Sequence, residues 1–288
     1  FNITFPTITG SLSGSILKSD GTTFDISQGG NLFAGMNIYL QSSNSPGVGQ
    51  ELGADGSYGF GLLPGIYEIN INRYWNSHDD NDWWNETSWE YRQENFVVTG
   101  DHELNISIPM VTVSGIVTDS SGQPVSDARI NFWGYDNAGI IEYETYANIT
   151  TDTDGSYSIE ILAADNIDQF EVHPPEDNTD LLAFEVTDVP QFTSDTVFNI
   201  TFPAVSASLS GTILKSDGTT FDIFDEWYDS SQLSIRLYSE NPSVYQEVGS
   251  NGSYDFNLLP GVYDIRIEGS NYLHDQDTDR FQSSYFQY

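Results

Sequence analysis

Cysteine is absent from the 288 residues, so neither disulfides nor thiolate metal sites hold this chain together, and its stability rests on burial and on any ions it binds. Basic residues are scarce. Lys and Arg number 8 against 43 Asp and Glu, a formal net charge of −35. Such a surface repels nucleic acid and anionic lipid by self-evident sign, and leaves cations and basic proteins as partners. No run approaches the ~20 apolar residues of a membrane helix, and no basic stretch followed by an apolar one opens the chain. The abrupt opening F-N-I-T-F-P reads as that of a mature or excised fragment whose signal and anchor lie elsewhere. Enzyme signatures are missing too: there is no H-E-x-x-H, G-x-S-x-G, P-loop or Rossmann glycine pattern, and no carboxylate pair stands out among so many acids. The expectation is a chain without catalytic residues.

What is present favours strands. Tyr and Phe number 17 each and Trp 6, and Gly, Pro, Asn and Ser punctuate the chain every ~8–12 residues without a sustained 3.6-residue stripe. Internal repetition then fixes the organisation. S-L-S-G-S-I-L-K-S-D-G-T-T-F-D begins at Ser11 and returns, with one change, at Ser208, 197 residues on; F-N-I-T-F-P at 1–6 returns at 198–203 with the same offset. A more distant copy lies between them, in V-S-G-I-V-T-D-S-S-G-Q-P-V (113–125) and L-N-I-S-I-P (104–109). The period is therefore about half of that offset, one small β-sandwich. A second landmark keeps the phase: D-G-S-Y at 55–58, D-G-S-Y at 154–157 and N-G-S-Y at 251–254, each a tight turn followed by strand alternation. The repeats run 7–109, 110–203 and 204–288, in the order A, B, A′. Pro6, Pro109 and Pro203 end the closing strands, and the next first strand follows within a few residues, so stiff joints and a rod are expected.

V-S-G-I-V-T-D-S-S-G-Q-P-V-S-D-A-R-I (113–130), followed by D-T-D-G-S-Y-S-I, resembles the carboxypeptidase regulatory-like modules, which are transthyretin-like seven-stranded sandwiches, and the related B-type repeats of Gram-positive collagen adhesins. The likeness covers the first half of each repeat. It implies an all-β fold of three tandem immunoglobulin-like (transthyretin-like) sandwiches and, by analogy, a spacer or adhesive role in an exported protein. Some B-type adhesin modules join a first-strand Lys to a last-strand Asn by an isopeptide bond. The resemblance would place Lys18 and Lys215 as the lysines and Asn105 as the amide, although Asp119 replaces Lys in repeat B and Lys18 stands in a turn-like S-D-G context.

Three sets of residues carry candidate chemistry. His78, His173 and His274 each precede acids: Asp79, Asp80, Asp82 and Glu86, then Glu176, Asp177 and Asp180, then Asp275, Asp277 and Asp279. Alternating carboxylates suit Ca²⁺, so Asp79, Asp80, Asp82, Asp275, Asp277 and Asp279 are the metal candidates, against the plainer reading of solvated acidic loops. Arg280 stands where an EF-hand needs Gly. Trp75, Trp83, Trp84 and Trp89 crowd repeat A, and Trp83 and Trp84 would stack sugars if exposed or fill a core if buried. Asn2, Asn85, Asn105, Asn148, Asn199 and Asn251 stand in N-x-S/T sequons, candidates for glycosylation in a host that performs it.

The ends of the sequence do not match. Residues 104–109 and 198–203 close repeats A and B, so 1–6 read as a closing strand without a repeat of its own, with Phe1, Ile3 and Phe5 spaced to fill an apolar groove by strand addition. Repeat A′ has the opposite defect: aligning Tyr285-Phe286-Gln287-Tyr288 with Asn95-Phe96-Val97-Val98 leaves it without a closing strand. The partner of 1–6 is then either earlier sequence in one long tandem chain or the open third repeat of another subunit. The reading that results is a segment of an extracellular fibre, stalk or giant adhesin, assembled with adjacent modules or neighbouring copies; the alternatives are a carbohydrate-binding accessory region of an exported enzyme and a calcium-stiffened layer protein.

Overall fold

The computed structural model describes residues 7–24, 35–43, 45–76, 86–137, 140–214, 216–219, 230–239, 241–248, 251–275 and 280–287. Every regular element among them is a strand, and no helix is long and apolar enough to cross a membrane. The fold is all-β. Repeat A supplies β1 (Gly10–Lys18), β2 (Gly35–Ser42), β3 (Ser45–Glu51), β4 (Ser57–Leu62), β5 (Gly65–Asn76), β6 (Glu86–Val98), β7 (Asp101–Glu103) and β8 (Ile106–Ile108). Repeat B supplies β9 (Met110–Thr118), β10 (Arg129–Asn137), β11 (Ile141–Thr150), β12 (Ser156–Leu162), β13 (Asn166–His173), β14 (Phe184–Glu185), β15 (Thr196–Val197) and β16 (Ile200–Thr201). Repeat A′ supplies β17 (Ala207–Thr212), β18 (Ser230–Tyr238), β19 (Val244–Glu247), β20 (Ser253–Leu258), β21 (Asp264–Asp275) and β22 (Arg280–Gln287).

The turns are where the sequence puts them. Gly56, Gly155 and Gly252 follow Asp or Asn and adopt φ of 73°, 75° and 78°, a conformation that costs a residue without Cβ little. In each turn the preceding side chain accepts the N–H two residues on: Asp55 from Ser57, Asp154 from Ser156, Asn251 from Ser253. The hairpin strand beyond pairs antiparallel with the repeat's first strand, β4 with β1, β12 with β9 and β20 with β17.

The chain divides into two compact units rather than three, Phe1–Pro175 with Val186–Thr201, and Glu176–Glu185 with Phe202–Tyr288. Two features stand beside the repeat boundaries read from the sequence. Glu176–Glu185 belongs with A′, where Phe184 packs edge-on against the fully buried Phe202, ring centroids 5.3 Å apart. Repeats A and B, expected as separate bodies in a rod, are joined in one sheet in which β13, β10, β11, β6, β5, β2 and β3 lie side by side. Short Pro junctions restrain the path of the chain at one point, but they leave sheet edges free, and two free edges have paired.

Each sandwich core follows from alternation. In repeat A, Leu12 and Ile16 of β1 and Tyr58 and Leu62 of β4 face Met36, Ile38 and Leu40 of β2, Ile69 and Ile71 of β5, and Trp89 and Tyr91 of β6. Leu162 of repeat B completes that cluster, with Met110, Ile141 and Tyr143 packed on it. The two repeats therefore share apolar burial as well as a ladder. In the second unit Leu233, Ile235, Leu237, Val248, Phe256 and Leu258 form a separate core.

The register of β22 also departs from the sequence alignment. Phe286 lies opposite Gly269 and Gln287 opposite Glu268, as Trp89 lies opposite Arg73 and Glu90 opposite Asn72. Phe286 thus takes the place of Trp89, not of Phe96. The cause is the hairpin: β21 runs on to Asp275, where the counterpart of Asn76, the last residue of β5, is Tyr272, so the chain turns back later.

Candidate assembly interface

Two features of the fold join one stretch of chain to another far from it in sequence, and each can be built from its residues. The first is the closing-strand slot. In repeat A, β7 and β8 run parallel to β1, with Leu12 opposite His102 and Ile16 opposite Ile106. In repeat B, β15 and β16 run parallel to β9, with Thr196 opposite Val113 and Ile200 opposite Val117. Between the paired stretches the closing strand crosses the first strand closely. The Tyr58 hydroxyl donates to the Leu104 carbonyl at 2.6 Å, and Tyr157 does the same to Phe198 at 2.5 Å. Burial pushes both phenols above their ordinary pKa, so they stay protonated donors.

The same crossing explains the glycine of the S-G-x-[IV] motif. A Cβ built on Gly14 would fall on the Leu104 carbonyl oxygen, and one on Gly115 would fall on that of Phe198. It also explains the Asn of L-N-I-S and F-N-I-T. Asn105 accepts the Ser15 N–H through Oδ1 at 3.0 Å, and Asn199 accepts that of Ile116 at 3.0 Å, so the side chain stands in for a carbonyl where the ladder is interrupted. Sequence reasoning read these asparagines as sequons; it had no sign of the backbone they meet. Both are exposed, whereas Asn148 is buried on β11 with its Oδ1 unpartnered among the described residues, so Asn148 is withdrawn as a glycosylation candidate. Asn251 is exposed in its turn. Asn2 and Asn85 lie outside the described residues, as do Phe1, Ile3 and Phe5.

The second feature is the seam between β6 and β11. They pair antiparallel from Ile141 opposite Gln93 to Asn148 opposite Glu86. Arg92 faces Glu142 across the seam at 3.3 Å and also binds Glu68 at 3.0 Å and Glu94 at 3.1 Å. This guanidinium holds Glu68 below the usual carboxylate range. Two positions along the ladder, Glu90 faces Glu144, an unfavourable pair. Burial, and then Glu144, push Glu90 above the carboxylate range. A carboxyl raised in the folded state adds stability below its unfolded pKa and loses it as pH rises through the folded one, so Glu90 weighs against the seam at neutral pH. A shallow cleft of about 340 Å³ opens over this seam, lined by Glu90, Arg92, Trp133, Tyr135, Glu142 and Glu144 among others. The Trp133 indole donates to Glu144 at 2.8 Å and its ring lies 6.0 Å from that of Tyr135.

Lys18 adds a further link between the repeats. Its ammonium meets Glu160 of β12 at 2.6 Å, while Asn105 is engaged with Ser15; the structure does not bring the two isopeptide candidates together. Lys215 lies outside the described residues. So do Asp79, Asp80, Asp82, Asp277 and Asp279, and so do Trp83 and Trp84. Asp275 sits at the end of β21 opposite Arg280 rather than in a loop. Trp89 is in the core beside Phe24, ring centroids 5.5 Å apart, and His173 lies 3.2 Å from Glu171. Among the described residues no group of three His, Asp or Glu is placed to hold a metal ion, the Glu176, Asp177 and Asp180 set included.

No family model matches the chain, and no curated protein does. Solved structures do. The Bacillus anthracis TIE protein is matched over 98% of this chain and 48% of its own, at 12% identity and a TM-score of 0.24; the chain thus spans about half of that protein. A minor pilin of Streptococcus agalactiae is matched over 69% of this chain and 98% of its own, at 13% identity and a TM-score of 0.33. A streptococcal ancillary pilin is matched over 96% and 95%, at 9% identity and a TM-score of 0.24. At such scores these likenesses add nothing to what the strands themselves say.

Proposed function

We propose that this chain is a non-catalytic structural segment of an extracellular fibre, stalk or large adhesin, whose repeats carry tension. One observation supports the reading above others: in both A and B the first and closing strands are parallel neighbours. The chain enters such a repeat at the start of its first strand and leaves at the end of its last, and in a parallel pair these points lie at opposite ends of the ladder. Pulling them apart loads the hydrogen bonds side by side, in shear, instead of opening them one at a time. In a single-molecule pulling experiment on the chain, A and B give discrete rupture peaks, governed by the unfolding rate under load. Smooth extension without peaks would remove the reading.

Stiffening by cations and joining by strand addition belong to the same proposal. Asp79, Asp80 and Asp82, and Asp275, Asp277 and Asp279, are close together in sequence and would repel one another if folding brought them together without a counter-ion, and an ion bound only by the folded chain raises stability by mass action. Calcium at about a hundred times its Kd adds roughly 2.7 kcal/mol. A higher melting temperature in Ca²⁺ than in chelator, at equal ionic strength, is the expected result; equal temperatures rule the cation out.

A further inference from the structure

Two rungs of the ladders, each a pair of residues directly opposite one another, carry like charges, and the two rungs are of opposite sign. On β6 and β11, Glu90 lies opposite Glu144. The guanidinium of Arg92 in the same cleft is already divided among Glu68, Glu94 and Glu142, so this rung has no cation of its own among the described residues. On β18 and β21, Arg236 lies opposite Arg266. Lys and Arg number only 8 in the whole chain, so two of them across one rung do not follow from abundance. Repeat A, built on the same strands, has Tyr39 opposite Asn70 at the corresponding rung. Arg236 makes no ion pair among the described residues, and its Nε is buried without an acceptor. Tyrosine rings flank both guanidiniums: the Arg266 Cζ lies 4.9 Å from the Tyr238 ring centre, and that of Arg236 lies 5.4 Å from the Tyr245 ring centre. Stacking uses the face of a guanidinium and leaves the donors on its edge for other partners. Like charges directly opposite weaken a ladder, so neither rung serves the stability of its own sheet.

We propose that the Arg236–Arg266 rung of one copy of the chain binds the Glu90–Glu144 rung of a second copy. The rungs match in spacing, because each is an opposed pair in an antiparallel ladder, which sets the two Cβ atoms about 4.5–5.5 Å apart whatever the residues. They match in chemistry as well. A guanidinium gives a carboxylate two parallel N–H donors, and Trp133 and Tyr135, which line the cleft beside the glutamates, offer ring faces to an entering cation. Each rung supplies the counter-charge that the other lacks, and a guanidinium beside Glu90 reverses the upward push of Glu144 on its carboxyl. The net charge of −35 on both copies opposes their approach from afar, but at physiological ionic strength the Debye length is ~8 Å, so that repulsion is screened while charges in contact still pair. The two surfaces differ, so the contact is heterologous and passes from copy to copy. This deepens the reading of a fibre segment that assembles with its own kind, and rests on it.

Analytical ultracentrifugation of the chain at physiological ionic strength gives a mass that rises with concentration. Glu90→Arg/Glu144→Arg in one chain, or Arg236→Glu/Arg266→Glu in another, sets like charge against like and weakens self-association at least about tenfold. An equimolar mixture of the two regains it, since the reversed rungs pair with each other and the unreversed ones pair as before. Urea midpoints near that of the unaltered chain show that both variants are folded. Arg266→Asn, which installs the residue that repeat A carries at that rung, is the milder arm and weakens association without unfolding the chain. An unaltered chain that stays monomeric at every concentration overturns the proposal. So does a mixture that stays monomeric while both variants are folded, or, should a reversed chain fail to fold, association that Arg266→Asn leaves unchanged. Each of these failures leaves the pulling experiment on A and B untouched, since that is read on single molecules.

Discussion

Replacing Gly14 by alanine destabilises the first unit severely, and the identical replacement at Gly211 in the third repeat does not. At Gly14 the added methyl meets a backbone carbonyl, that of Leu104, which is held on the other side by the Tyr58 hydroxyl and by the Leu104 N–H bond to the Ser13 carbonyl. It cannot yield without the closing strand leaving β1. The cost combines overpacking with loss of the buried hydrogen bond, about 3 kcal/mol or more, or a melting temperature lower by roughly 6–12 °C for a unit of this size. Gly115→Ala behaves alike, since the Phe198 carbonyl lies in the same place. At Gly211 the methyl meets only the far end of the half-buried Tyr254, which swings away, and the change stays within about 0.5 kcal/mol. Calorimetry of the three variants decides it. Equal losses at all three positions would mean that the glycines serve the strand's own backbone and not a crossing chain.

Trp89→Ala costs about 3–5 kcal/mol, the amount expected when a large aromatic side chain leaves a packed core. Trp89 is 4% exposed, lies against Phe24 and belongs to the cluster that unites the two sheets of repeat A. It also sits on β6, the strand that pairs with β11, so the cavity opens directly behind the seam. Urea unfolding followed by tryptophan fluorescence measures the loss as a lower midpoint at unchanged slope. A midpoint that does not move would return this tryptophan to the surface role that the crowding of Trp in repeat A allows. Phe286 occupies the equivalent ladder position in A′, which keeps an aromatic residue there in both A-type repeats.

The turns and the strands that follow them were legible because Asp-Gly, Asn-Gly and two-residue alternation act locally. The closing strands were legible because a whole hexapeptide recurs. The reason for their residues was not. Gly14 and Leu104 are ninety positions apart, and nothing near Gly14 says that a carbonyl will pass over it. The asparagines of the hexapeptide read equally well as sugar acceptors, since an N-x-T triplet and a carbonyl substitute look the same on paper. The seam was the least visible of all. Pairing of two sheet edges uses backbone groups, which every residue has, and the side chains along it, Glu90, Arg92, Glu142 and Glu144, have the look of an ordinary solvated face.

That seam has a consequence for how such a protein lengthens over generations. Neither repeat A nor repeat B is complete alone: each lends the other a sheet edge, and Leu162 of B fills out the core of A. A genetic exchange that gained or lost one repeat would leave a bare edge and a gap in a core, whereas one that gained or lost the pair would leave neither. The near-identity of segments 197 residues apart, against the distant likeness of adjacent repeats, is the trace that copying by pairs would leave.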